Sequence, residues 1–231
     1  TIPEVAVVEA YGGEVLFTPG DVVYSSSALI DAAAPDLRYD KLALVMRRAG
    51  ITFDFLRSVL GMMPLQRIHV VGDAIVDSLL YCEMLGAQAK TPTISVRRDR
   101  REDFVGGAGV VARHARAAGA AVQFTTVVGD DAFGLMVLED ARAVGIDIFP
   151  VVDRARPTTV KEAVVVGSYR LLKIDTVDNR SISDALLRRL CEQVAETAGG
   201  AVVFSDFRHG VFNARTIPQL AAAIPVGCLR A

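Results

Sequence analysis

Two aspartates four residues apart, Asp73 and Asp77 in "VVGDAIVD", close an apolar run and could aim at one site. The turn "VVGD" occurs a second time at residues 127–130, again ending a run of strand type. In a parallel sheet Asp73 and Asp130 stand at carboxyl ends of strands, where open α/β sheets bind ligands. Gly-Asp also turns a chain and caps the next helix, which serves Asp130 or Asp131 equally well.

A third element is "FVGGAGVVARHARAAGA", in which Gly107, Gly109 and Ala112 nearly match a dinucleotide-binding loop. Such a loop follows directly on a buried apolar strand. Here the preceding residues are "RRDRREDF", charged and solvated, and the dinucleotide reading fails on that ground. Helix packing explains Ala108, Val111, Ala112, Ala115 and Ala118 as an apolar stripe, with Arg113, His114 and Arg116 outside it. It does not explain Gly106 and Gly107 at the helix start, where the backbone approaches a ligand most closely.

Other chemistries find little support. Cys82, Cys191 and Cys228 lie far apart, and with His69, His114 and His209 they make no spaced ligand set, so no metal is expected and a reducing compartment fits. A net charge of −2 gives no footprint for nucleic acid, and the arginines of "RRDRRED" carry their own acidic partners. No apolar run reaches the roughly eighteen residues of a membrane span. The chain opens on Thr1 and stops at Ala231 after "AAAIPVGCLR", and both ends read as cut from something longer.

The elements that must position these residues change character along the chain. Residues 1–35 hold a short strand, a turn at Pro19-Gly20-Asp21 and a helix start with hydroxyls at Ser25, Ser26 and Ser27. Residues 36–65 form an amphipathic helical connector broken at Gly50. From residue 66 strands alternate with helices, expected at 108–118, 132–144, 183–197 and 213–223. The runs "TTVKEAVVV" and "RLLKIDTV" count among the strands. This alternation predicts an α/β fold, doubly wound around a mostly parallel sheet. With 52% hydrophobic residues the chain can fill such a core.

In order, "VVGDAIVD", a charged extended segment, "GGAGVVARHARAAGA", "VVGDDAFG", "PTTVK" and "VVFSDFRHG" resemble the N-terminal part of PfkB (ribokinase-like) carbohydrate kinases. Within that family the likeness is to the kinase domain of bifunctional sugar kinase/nucleotidyltransferase proteins of the heptose-phosphate (ADP-heptose synthase) type. Residues 1–35 resemble the tail of the nucleotidyltransferase domain. The resemblance implies a ribokinase-like fold with a small β lid at about 78–104, the C-terminal half of the domain lying outside this chain. It further implies ATP and Mg2+ as cofactors, a sugar or sugar phosphate as substrate with heptose phosphate first, a cytoplasmic location and a possible homodimer through the lid. Neither nucleic acid nor a membrane is implied as a partner.

By the same matching, Asp73 and Asp77 bind sugar hydroxyls, Gly106 and Gly107 admit the sugar to the backbone, and Lys161 faces a phosphate or hydroxyl. Asp206 and His209 lie in the phosphate-transfer region, and Ser25 and Ser26 are the nucleotidyltransferase remnant. Three departures stand out. Val110 occupies the place of the family's sugar-binding asparagine, and His209 that of a lysine in "D-Y-x-K-G". The G-A-G-D motif that supplies the catalytic base is absent, as is the H-x-G-H motif expected before His69. Residues 1–231 are therefore expected not to turn over alone, and a catalytically inactive sugar-binding or scaffold module is the alternative reading.

Overall fold

The computed structural model describes residues 34–87 and 93–231, and the serine-rich start at Ser25 and Ser26 lies outside them. The chain divides into two units, residues 1–59 and 60–231, each described by itself. In the first, α1 (Ala34–Ala49) stops where Gly50 takes φ 64°, and the Ile51 amide donates back to the Met46 carbonyl at 2.9 Å. The break read at Gly50 is thus a left-handed C-terminal turn of the kind glycine favours. Thr52 Oγ1 accepts from the Phe55 amide at 3.1 Å and opens α2 (Phe53–Met62).

The second unit begins with β1 (Arg67–Gly72), followed by two long strands, β2 (Ala74–Ala87) and β3 (Ile94–Gly107). Then come α3 (Ala108–Ala117), β4 (Ala121–Gly129), α4 (Ala132–Ala143) and β5 (Asp147–Asp153). A hairpin of β6 (Val160–Val166) and β7 (Tyr169–Thr176) precedes α5 (Asp184–Ala195), β8 (Ala201–Ser205), α6 (Thr216–Ala223) and β9 (Leu229–Arg230).

Five strands pair in the order β5-β4-β1-β8-β9, every pair parallel. The order reverses at β1, since the chain first winds outward through β4 and β5 and then returns to β8 on the other side. Alternate residues of β1 feed opposite faces. Val70 joins Phe124, Val137 and Ala112 under α3 and α4, and Val71 joins Val202, Leu190 and Leu220 under α5 and α6. Both faces are covered and both side-chain sets are apolar, as a buried parallel strand requires.

The other four strands form a separate sheet in the order β3-β2-β6-β7. The charged run at 97–103 is in β3, with Arg100 paired to Glu102 at 3.0 Å and Arg101 to Asp103 at 2.7 Å, a solvated strand that satisfies its own charge. Strands β6 and β7 belong here too, which extends the second sheet beyond the expected 78–104. No helix separates them. A two-residue turn at Gly167 (φ 60°) and Ser168 folds β7 back antiparallel on β6. Between Val164 and Val165 the register shifts, leaving Leu171 as an extra residue in β7.

Candidate functional site

Where β1 ends, Gly72 lies against β8 and α3: a Cβ there would meet the Ser205 carbonyl at 2.3 Å and the Ala108 methyl at 2.8 Å. Asp73 follows, 3% exposed. Its carboxylate accepts the backbone N–H groups of Phe207 at 3.0 Å, His209 at 3.3 Å and Val211 at 3.4 Å. Burial raises its pKa, against the three amides that favour the ionised form. Asp73 thereby fixes the loop after β8, and its carbonyl takes the Ala108 amide at the start of α3 at 2.9 Å. The first aspartate of the pair is spent on architecture.

Asp77 is different. It sits in β2 opposite Phe104 of β3 and Lys161 of β6, and Lys161 in turn faces Asp175 of β7. Paired residues share a face, so Phe104, Asp77, Lys161 and Asp175 form one row across the sheet. Leu79, Ala163 and Lys173 form the next row. This face bounds a cavity of about 250 Å³ lined by Asp77, Leu79, Lys161, Lys173 and Asp175. The opposite face holds Ser78, Asp103, Glu162 and Arg101 in a network, with the Arg101 guanidinium 4.9 Å from the Phe133 ring of α4.

The two glycines serve the two aspartates separately. A Cβ on Gly106 would meet Asp77 Oδ2 at 2.2 Å, so its missing side chain is the space the Asp77 carboxylate occupies. Gly107 has φ 58°, and a Cβ there would meet the Asp73 carbonyl at 2.4 Å. The near match to a dinucleotide loop is thus the end of the antiparallel strand β3 turning into α3.

The loop after β8 carries Asp206, exposed, whose Oδ1 accepts the Arg208 amide at 2.7 Å and shapes the turn in which Arg208 takes φ 63°. The next helix starts only at Thr216, so Asp206 is not its cap. His209 Nδ1 donates to Asn179 Oδ1 at 2.8 Å, which leaves Nε2 with its lone pair, shielded from solvent and without a hydrogen-bond partner. Burial and the nearby Lys161 ammonium lower its pKa, so the imidazole is neutral near pH 7. Asp131 caps α4 through the Gly134 amide at 2.8 Å and also takes the Thr158 amide at 2.8 Å. Val110 lines a cleft with Phe104, Arg113 and Asp140 and is not among the residues lining the Asp77 cavity. Among the described residues no group of three or more His, Cys, Asp or Glu comes together that could hold a metal ion, and no helix is long and apolar enough to cross a membrane.

The sequence missed Arg170, Lys173 and Asp175. Their signal is the polar alternation Lys173-x-Asp175 in "RLLKID", a strand with charge on one face.

Comparison with known proteins identifies relatives of the chain. The family model for pfkB family carbohydrate kinases matches residues 65–212. A D-beta-D-heptose 7-phosphate kinase of Bordetella bronchiseptica is 34% identical over 164 residues, 68% of this chain and 50% of the relative. A bifunctional protein HldE of Rhodopseudomonas palustris is 35% identical over 160 residues, 66% of this chain and 32% of the relative. The chain thus spans half or less of the length of these relatives. In fold it is similar to Escherichia coli phosphofructokinase-2 in complex with substrates and products, with a TM-score of 0.57 at 20% identity, covering 71% of this chain and 52% of that one.

Proposed function

Since this chain belongs to the pfkB family of carbohydrate kinases, we propose that it forms the acceptor-binding part of an enzyme that transfers a phosphoryl group from ATP to a hydroxyl of a sugar or sugar phosphate. The observation that carries this reading is Asp77 seated over Gly106 at the base of an open cavity, beside Lys161 and without an ion-pair partner among the described residues. Asp77 accepts hydrogen bonds from substrate hydroxyls, and Lys161 donates to a hydroxyl or anionic oxygen. Asp73 acts through the loop it holds, presenting Asp206 and His209 at the end of β8 beside the reversal in strand order, where open α/β sheets receive their ligands.

Heptose phosphate is the first candidate, because one relative, 34% identical over 68% of this chain, is named a D-beta-D-heptose 7-phosphate kinase. The pairing with a nucleotidyltransferase, a cytoplasmic location and a dimer through the β2-β3-β6-β7 sheet belong to the same reading. ATP and Mg2+ enter it through the family, since the described residues assemble no metal-binding group and contribute on the acceptor side.

Val110 favours a second reading, a sugar-binding module without turnover. It stands where the family's sequence calls for asparagine, and a valine offers the sugar no hydrogen bond. Calorimetric titration with heptose and hexose phosphates, alongside ADP release in the presence of Mg-ATP, separates the two. Binding with ADP release supports the kinase, binding without it supports the module, and binding of none of these sugars overturns both.

A further inference from the structure

The cavity beside Asp77 has two chemically distinct ends. Its base is the row Asp77, Lys161, Asp175. Its middle is apolar, with Leu79 and Ala163. On the outer strand β7 lie Lys173 and Arg170, both exposed and both lining the cavity. Neither is in an ion pair with a described residue, whereas three of the four arginines of β3, on the far side of β2, are matched: Arg97 by Glu83, Arg100 by Glu102, and Arg101 by Asp103 and Glu162. The sheet thus pairs most of its cations along β3 and leaves Lys161, Arg170 and Lys173 around the cavity without ion pairs among the described residues.

Strand geometry alone would not put Arg170 and Lys173 together. Residues three apart in a regular strand point to opposite faces. The extra residue Leu171 breaks the alternation: Arg170 stands opposite Val165 and Lys173 opposite Ala163, so both fall on the face of Lys161. Bulges re-aim side chains in this way. At about 3.4 Å per residue, Lys173 lies roughly 7 Å further along the strand than Asp175. That distance suits a ligand with hydroxyls at one end and an anion at the other.

We propose that Lys173 and Arg170 form an anion subsite that selects a phosphorylated sugar over its neutral counterpart, with the hydroxyl end on Asp77 and Lys161. This inference rests on the reading of the cavity as the sugar site and assigns the phosphate already present on the acceptor to the bulged edge of β7. Two cations gain most against a dianion, and their distance from the base makes the selection depend on substrate length as well as charge.

The test is calorimetric titration of the full chain with a heptose 7-phosphate, the same heptose without phosphate, and inorganic phosphate. The expected result is at least tenfold tighter binding of the sugar phosphate than of the neutral sugar. The double variant Arg170→Ala, Lys173→Ala should remove that difference, whereas Asp77→Asn should weaken both sugars and keep it. Both cations are exposed, so the double variant should keep the wild-type melting temperature. Equal affinity of the wild type for the two sugars, or undiminished sugar-phosphate binding by the double variant, overturns the subsite and leaves the sugar site standing. Binding of inorganic phosphate as tight as that of the sugar phosphate, or binding of neither sugar, overturns the subsite together with its premise.

Discussion

The two sheets of residues 60–231 treat polar groups in opposite ways. In the five-stranded sheet the buried polar side chains of β1 and its end, His69 and Asp73, are saturated. His69 is held between Thr125 Oγ1 at 2.8 Å and Thr197 Oγ1 at 2.6 Å, and Asp73 takes three amides. In the four-stranded sheet Asp77, Lys161, Arg170, Lys173 and Asp175 face a cavity without ion-pair partners among the described residues. Saturated groups hold architecture, because burying them unpaired costs free energy. Charges left open on a surface with a fixed register remain available to a ligand. Asp73 and Asp77 look equivalent in sequence and fall on opposite sides of this divide.

The largest effect should come from Asp73→Ala, which strands three amides and loosens the loop after β8. We expect a loss of about 4 kcal/mol in stability by chemical denaturation. A loss below about 1 kcal/mol would break the contrast between the sheets.

His69 sharpens the same point through pH. Burial lowers its pKa from 6.5 to about 4, so the folded protein keeps it neutral while the unfolded chain takes up a proton. Stability is unaffected by this group above pH 6.5 and is lost as pH falls from 6.5 towards 4, by up to about 3 kcal/mol. His69→Gln should flatten that slope in melts between pH 4 and 7.

Gly107→Ala should cost about 2 kcal/mol, for its positive φ and the carbonyl 2.4 Å from the would-be Cβ. Gly106→Ala meets only the end of the Asp77 side chain, so it should cost less than about 1 kcal/mol in stability and at least tenfold in sugar affinity. Equal losses of stability in the two variants would show that the glycines do one job.

Asp77→Asn is the smallest in stability, within about 0.5 kcal/mol, as befits a side chain with no partner to lose. Its effect should appear only in titration with sugar.

Much of the scaffold was legible. The stripe from Ala108 to Ala115 and the apolar run into Gly72 follow local periodicity, and α3, α4 and β1 appear where that periodicity puts them. The sheet membership of β6 and β7 was not legible, because "VKEAVVV" reads the same whether a helix or a tight turn follows its strand. Asp73 was out of reach for a different reason: its amide partners lie 134 to 138 residues away in the chain. Lys161 was singled out through its place in a family motif. Arg170 escaped because its face is decided by an irregularity that no residue type announces.

That irregularity at Leu171 has a hereditary side. A substitution at Arg170 changes one charge, but a single codon inserted in β6 between Val164 and Val165 would give Leu171 a partner, restore regular pairing and turn Arg170 to the far side of the sheet from Lys173 with its charge intact. On the proposed reading of the cavity, ligand choice is therefore open to change by insertion, in a step that leaves the amino-acid alphabet of the site untouched.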